Sequence, residues 1–152
     1  MSVQRITNCI LIDQEKKKVL LLKKPRRGWW VAPGGKMEPL ETVTESVIRE
    51  YKEETGLTIK NPELRGVFTI IVEDKGEVVD EWMMFTFVAY HSEGQMLTDS
   101  PEGDLSWVEL DQIASLPKAK GDQVYFDHIL KHHDLFIKKF RYTPEYELID
   151  HE

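Results

Sequence analysis

GGKMEPLETVTESVIREYKEETGL, Gly34 to Leu57, is the stretch on which the reading of the fold turns. Thr42 and Glu45 are spaced as a capping box, in which hydroxyl and carboxylate each satisfy an exposed N–H at a helix start. Val43, Val47, Ile48 and Tyr51 follow as an apolar stripe at helical spacing. Gly56 then supplies a natural stop, because glycine enters the left-handed conformation without strain. The spacing predicts a helix over 43–55, entered from a turn at Pro33-Gly34-Gly35. On that helix Glu50, Glu53 and Glu54 stand at i, i+3 and i+4, so their carboxylates share one face and repel one another. Arg49 lies four residues before Glu53 and can pair with it. A divalent cation would neutralise the remainder, and hard oxygen ligands suit Mg²⁺ or Mn²⁺. Glutamates at this spacing are commonly just a solvated helix face; the register of the whole segment is what argues for a site.

Working outward, Ile6 to Ile12 is apolar on both faces apart from Asn8, the pattern of a central strand covered on both sides. Val19 to Leu22 reads as its neighbour, and Trp29 to Val31 as a short strand. Beyond the helix, Leu64 to Glu73 and Glu81 to His91 read as two strands of a hairpin through Asp74-Lys75-Gly76. Leu105 to Leu110 is a further strand, Asp122 to His133 a second helix, and Phe136 to Tyr142 with Tyr146 to Ile149 a final hairpin. Strands on either side of a helix, with hairpins, predict an α/β class in which a mixed sheet lies between helices. Neither a repeat nor a linker divides the chain, so 1–152 reads as one domain.

Composition narrows the function. The chain of 152 residues has 27 acids against 20 bases, a net charge of −7. An acidic surface repels phosphodiester chains, which argues against extended nucleic acid as a partner. A small phosphate-bearing substrate stays compatible if metal lies between it and the acids. No run approaches the roughly 20 apolar residues of a membrane span, and the opening MSVQRITNCILID reads as a strand rather than a signal peptide. The single cysteine, Cys9, has no internal disulfide partner, which fits a reducing cytoplasm; in an apolar run it reads as a small buried hydrophobe.

The segment resembles the Nudix box, G-x5-E-x7-R-E-U-x-E-E-x-G-U with U a bulky apolar residue. Gly35, Glu41, Arg49, Glu50, Glu53, Glu54, Gly56 and Leu57 all fall in register. At roughly 5–7% usage for each fixed residue, a chance match at one start is below about one in a million. Tyr51 departs, being aromatic where the family has an aliphatic residue, as do Leu40 before Glu41 and the pair Ser46-Val47. The approach WVAPGGK and the trailing strands and helix resemble the MutT-like branch over most of the chain. The resemblance implies an α/β/α sandwich with the box as loop–helix–loop, and a Mg²⁺-dependent hydrolase that cuts a nucleoside polyphosphate between phosphates. It also implies Glu50, Glu53 and Glu54 as metal ligands, with the Gly35 carbonyl reaching the metal. Glu53 or Glu50 would orient or deprotonate the attacking water, Arg49 would hold the glutamates in place, and Glu41 would complete loop–helix packing.

Relatives commonly add an acidic ligand from beyond the box, and Glu102 in DSPEGDLSW fits that place; an ordinary acidic turn is the other reading. Asn8 either meets a base edge or is a satisfied core amide. Asp122 is either a helix N-cap or a carboxylate reading a purine edge, with the cap as the safer choice. Lys36 either meets a phosphate or is solvated. Trp30, Phe68, Phe85 and Tyr125 are candidates to stack on a base or to fill the core, and His128, His132 and His133 read as surface residues. The expected substrate is a purine nucleotide, especially guanine, oxidised or not. Guanosine or dinucleoside polyphosphates, nucleotide sugars and a non-catalytic nucleotide sensor are the alternatives. Monomer and homodimer stay equally open.

Overall fold

The first strand, β1 (Gln4–Asp13), is apolar on both faces and lies inside a sheet covered on both sides. Cys9 and Leu11 point to one side and Ile10 and Ile12 to the other, each into its own core cluster. The structure, a computed structural model, describes residues 2–152. After β1 come β2 (Lys18–Lys23), β3 (Trp30–Val31), β4 (Gly34–Lys36) and helix α1 (Val43–Thr55). Then follow β5 (Leu57–Lys60), β6 (Glu63–Asp74), β7 (Glu77–Ala89), β8 (His91–Gly94) and β9 (Asp104–Glu109). A 3-10 turn at Leu110–Ser115, helix α2 (Lys120–Lys131), β10 (Phe136–Tyr142) and β11 (Leu148–His151) complete the chain.

The main sheet runs β11-β10-β6-β7-β1-β2-β3, with β4 also paired to β1 and β9 to β2. It is mixed: β1 is parallel to β7 and β10 to β6, while β6–β7 and β1–β2 are antiparallel. Val47 and Tyr51 of α1 pack on Cys9, Leu11 and Leu20; Tyr125, Phe126 and Ile129 of α2 pack on Ile10, Phe68 and Phe140 across the sheet. The result is an α/β/α sandwich. Arg65, fully buried, donates through Nη2 to the carbonyls of Ile129 and His132, placing a cation against the C-terminal end of α2. Among the described residues no helix is long and apolar enough to cross a membrane.

Capping chemistry forms where the sequence places it. Glu45 N–H donates to Thr42 Oγ1 at 3.0 Å, Thr42 N–H donates to Glu45 Oε1 at 2.9 Å, and Gly56 closes α1 at φ 83°. Lys75 and Gly76 both have positive φ, the turn that suits the twist of a two-residue hairpin. Several expectations need correction. Gly34 and Gly35 belong to a strand rather than a turn, because side-chain alternation cannot mark a strand that has no side chains there. The second helix spans 120–131, so Asp122 lies inside its first turn and the N-cap is Ala119, without a side-chain cap. Tyr146 lies in the turn before the last strand rather than in it. The small sheet of β5 and β8 had no sequence expectation; both strands are four residues long, too short for a period to register.

Thr42→Ala removes the cap hydroxyl while leaving the helix face intact, and is expected to cost about 1 kcal/mol of folding stability. Chemical denaturation of the two proteins checks this, and an unchanged midpoint would show that the cap bond does not hold the helix start.

Candidate active site

The site is made where β4, the loop after it and α1 are tied together by one guanidinium. Arg49 Nε and Nη2 donate to the two oxygens of Glu41 at 2.6 and 2.9 Å, a forked pair. Its Nη2 also donates to the carbonyl of Lys36 at 3.1 Å, and Nη1 to Glu50 at 2.9 Å and Glu53 at 3.2 Å. These bonds hold the Glu41 carboxyl well down, at about 2, through the Arg49 hydrogen bonds. Arg49 itself is pushed above its usual range by Glu41. Arg49 therefore faces carboxylates, as the sequence suggests, and Glu41 joins the loop to the helix.

Two glycines let backbone approach these acids. A side chain on Gly34 would overlap the Thr7 carbonyl of β1, and one on Gly35 would run into the Glu50 carboxylate. Gly34 N–H in turn donates to Glu54 Oε2 at 3.1 Å. Glu54 is buried, and desolvation raises it from 4.5 to about 7 despite the Gly34 bond, with Glu102 and Glu50 adding repulsion. The three box glutamates do not share one environment: Glu54 lies under β4, Glu50 is nearly covered, and Glu53 has 58% of its side chain exposed beside Arg49. Among the described residues no three His, Cys, Asp or Glu side chains converge closely enough to enclose a cation as they stand.

A cavity of about 480 Å³ gathers Asn8, Gly35, Lys36, Glu50, Glu54, Glu102 and Asp122. Lys24 also lines it, with Nζ 3.5 Å from Glu102 Oε2. Glu53 is not among its walls. At the far end the Thr86 hydroxyl donates to Asn8 Oδ1 at 2.6 Å, which turns the Asn8 amide nitrogen towards Met84 Sδ, 3.6 Å away. Asn8 is thus a core amide with satisfied oxygen that still faces the cavity. The Tyr125 hydroxyl adjoins both Asn8 and Asp122. Burial lifts the Asp122 carboxyl from 3.8 to about 7, with Tyr125 and Lys118 opposing the shift.

A second cavity of about 340 Å³ continues from the first and shares Lys24, Met84, Asp122 and Tyr125 with it. Its walls are aromatic: Trp29, Trp82, Tyr142 and Tyr146, with Arg26 and Arg27 beside them. The sequence reading missed these four rings and Lys24. No local signal marked them, because Trp29 and Tyr146 each read as the first residue of a strand, where a large aromatic is ordinary. Of the rings singled out, Phe68 is fully buried, Trp30 and Phe85 pack against the two cores, and only Tyr125 reaches a cavity. His132 and His133 are exposed, while half-buried His128 stacks 3.9 Å from Phe136 and bonds Asp134. Cys9 is fully buried, and burial pushes its thiol far up, which argues against a nucleophile.

Comparison with known proteins bears on this geometry. A family model described as the NUDIX domain matches residues 3–129. The "Uncharacterized Nudix hydrolase YvcI" of Bacillus subtilis is 55% identical over 149 residues, covering 98% of this chain and 93% of that protein. The 8-oxo-dGDP phosphatase NUDT18 of Homo sapiens is 40% identical over 78 residues, 51% of this chain and 21% of that protein. Among solved structures, the MutT protein from Bacillus halodurans matches with a TM-score of 0.95 at 53% identity, covering 99% of this chain and 97% of that one.

Asp122 offers a titration test of the cavity. An acid raised in the folded state costs stability once it ionises, so its contribution falls as pH rises from about 4, its unfolded range, to about 7. Asp122→Asn removes that penalty and is expected to melt higher than wild type at about pH 8 and alongside it at about pH 4. Melting curves across that range in metal-free buffer check this; a constant offset between the two would mean Asp122 does not titrate there.

Proposed function

The chain belongs to the Nudix hydrolase family, and from that premise we propose that it cuts a diphosphate linkage in a purine nucleoside polyphosphate, above all a guanine nucleotide, oxidised or not. The observation that carries this reading is the continuity of two unlike cavities. One is lined by carboxylates, a glycine backbone and lysines, the other by aromatic rings, and they meet at Asp122 and Tyr125. A polyphosphate fits the first and a flat heterocycle the second. The activity on 8-oxo-dGDP named for the human relative supports a guanine base.

Glu50, Glu54, Glu102 and the carbonyl of Gly35 are the donors proposed to hold Mg²⁺, with Mn²⁺ as substitute, and Glu53 joins them from the mouth. The donor set fits a hard cation: all are oxygens, and Glu54 is a desolvated carboxylate beside two others. When bound, such a cation neutralises phosphate charge and makes water a stronger acid. Lys36, next to Gly35, and Lys24, beside Glu102, balance phosphate oxygens in the same cavity. Arg49 keeps Glu50 and Glu53 aimed while its own charge is spent on them. Glu50 or Glu53 receives the proton of the attacking water as its oxygen bonds to phosphorus and the bridging P–O bond breaks. Asp122, which lines both cavities, presents a protonatable carboxyl to the base end, and Asn8 presents its amide from the wall of the first cavity beside Tyr125. The buried thiol of Cys9 accords with work in the reducing cytoplasm.

A second reading rests on the cations of the aromatic cavity. Lys24 and Arg26 line it beside the rings, which suits a substrate charged at both ends, such as a guanosine polyphosphate carrying phosphate on either side of the ribose, or a dinucleoside polyphosphate. Phosphorus product analysis on a panel of guanine nucleotides separates the two readings by rate.

Chelator is expected to abolish turnover and Mg²⁺ to restore it. Glu53→Gln, which keeps size and helix propensity, is expected to lower kcat by about a hundredfold or more. Its metal-free melting temperature should hold or rise, since the exposed pair with Arg49 is weakened but repulsion from the neighbouring glutamates is lost. Full turnover in chelator would overturn the reading, and wild-type turnover in the Glu53→Gln variant would remove Glu53 from the site and leave Glu50 as the acceptor of the water's proton.

A further inference from the structure

The far wall of the aromatic cavity comes from a segment that the NUDIX family model does not reach. The match ends at residue 129, whereas Phe140, Tyr142 and Tyr146 belong to the C-terminal hairpin of β10 and β11. That hairpin is fastened to the rest of the site at two points. At the first, the Arg27 guanidinium lies 5.0 Å from the ring centre of Trp29 and 4.9 Å from that of Tyr146, while Arg27 Nη1 donates to the Glu145 carbonyl at 3.1 Å. Trp29 and Tyr146 meet edge to face at 6.1 Å, so the cation joins two rings from segments far apart in the chain. At the second, Gly121 N–H donates to the Tyr142 hydroxyl at 2.7 Å. A side chain on Gly121 would overlap that hydroxyl, so the start of α2 is shaped to receive the hairpin one residue before Asp122.

Both clasp residues carry backbone strain. Arg27 has φ 69° and Tyr146 φ 63°, the left-handed region that bulky side chains avoid. Strain of this kind persists where the surroundings over-determine it, and it gathers at ligand clamps. The turn that holds Tyr146 is itself closed by hydrogen bonds, Tyr146 N–H to the Thr143 carbonyl at 2.9 Å and Glu147 N–H to Thr143 Oγ1 at 3.1 Å. Tyr146 then leads inward through Tyr142 at 5.4 Å and Trp82 at 6.2 Å to the floor of the cavity. Positive φ also occurs at Lys17, Leu40, Asn61 and Lys75, so what sets this rim apart is the guanidinium held between two rings of distant segments.

We propose that the C-terminal hairpin is the element that selects the heterocycle of the substrate, with Tyr146 as the wall against which the ring packs and Arg27 as the clamp that positions that wall. The inference rests on the reading of the aromatic cavity as the base end of a nucleotide site. It separates two tasks in the chain: the box and β4 handle the phosphates, and the hairpin decides what they may be attached to. Arg27 holds Tyr146 and lines the aromatic cavity but not the carboxylate one, so its effect is on affinity for the ring end and not on the phosphate end.

Calorimetric titration tests this without turnover, using a guanosine triphosphate analogue methylene-bridged at both anhydride positions and, separately, inorganic tripolyphosphate, each with Mg²⁺. Arg27→Ala and Tyr146→Ala are expected to weaken binding of the analogue about tenfold, the scale of a lost base–aromatic contact. Tripolyphosphate should bind all variants within about twofold of wild type, and Tyr146→Phe, which keeps the ring, should retain wild-type affinity for the analogue. Ile149→Ser, exposed on the same hairpin, controls for loosening of the strands. Unchanged analogue binding in both alanine variants overturns the inference, as does a parallel loss of analogue and tripolyphosphate, or a wild type that binds tripolyphosphate but not the analogue. A wild type that binds the analogue through the clasp yet hydrolyses no nucleotide contradicts the proposed reaction alone.

Discussion

The rest of the structure depends on the half-covered guanidinium of Arg49. Its fork on Glu41 fixes the loop between β4 and α1, its bond to the Lys36 carbonyl fixes the end of β4, and its contacts with Glu50 and Glu53 collect the negative face of α1. A planar donor with fixed N–H directions can do this where an ammonium cannot, because several acceptors must be met at once in one plane. Remove the guanidinium and the helix face is left with glutamates at repelling spacing and a loop without an anchor. The arrangement stabilises the fold only by concentrating acids where a strand backbone already approaches, so stability and site are made by the same contacts.

That concentration sets the chemistry. Gly34 and Gly35 allow β4 to lie on β1 and against Glu50, and the strand in turn caps Glu54 with one N–H. One donor is too little for a desolvated carboxylate with Glu102 and Glu50 nearby, which is why Glu54 is pushed up towards neutrality. The acidic end is therefore short of positive charge, and the aromatic end, bounded by Arg26 and Arg27, has it in supply. A flat ring suits the aromatic end, and the proposed divalent cation is what would let an anionic chain lie against the acids, along one line through Asp122 and Tyr125.

Much of this is legible in the sequence because it is local. The capping box, the apolar stripe and Gly56 define α1 from spacing alone, and the doubly apolar run at Ile6 to Ile12 announces a covered strand. The box register carries Glu41, Arg49, Glu50 and Glu54 into place, and Asn8, Lys36, Glu102 and Asp122 do share one cavity. What stays hidden is non-local. Trp82 sits on β7 as one more large residue in an alternating strand, and nothing nearby says that Tyr146 arrives beside it from the other end of the chain. β4 escapes because glycines carry no pattern, and Asp122 misleads because an acid near a helix start has the same local signature as a cap whether or not its carboxyl turns inward. The exposure of Glu53 is likewise a tertiary fact, set by how α1 is rotated against β4.

The central claim is that α1, β4 and the turn at Glu102 together hold a divalent cation through Glu50 and Glu54. The most direct measurement is Mn²⁺ binding followed by electron paramagnetic resonance, comparing wild type with Glu54→Gln. The account predicts specific binding in wild type, weakened by about tenfold or more in the variant, since one coordinating charge is lost. The variant should remain folded, because a buried carboxylate without a cation gains little from its charge. Equal Mn²⁺ affinity in the two proteins, with the variant folded, would contradict it.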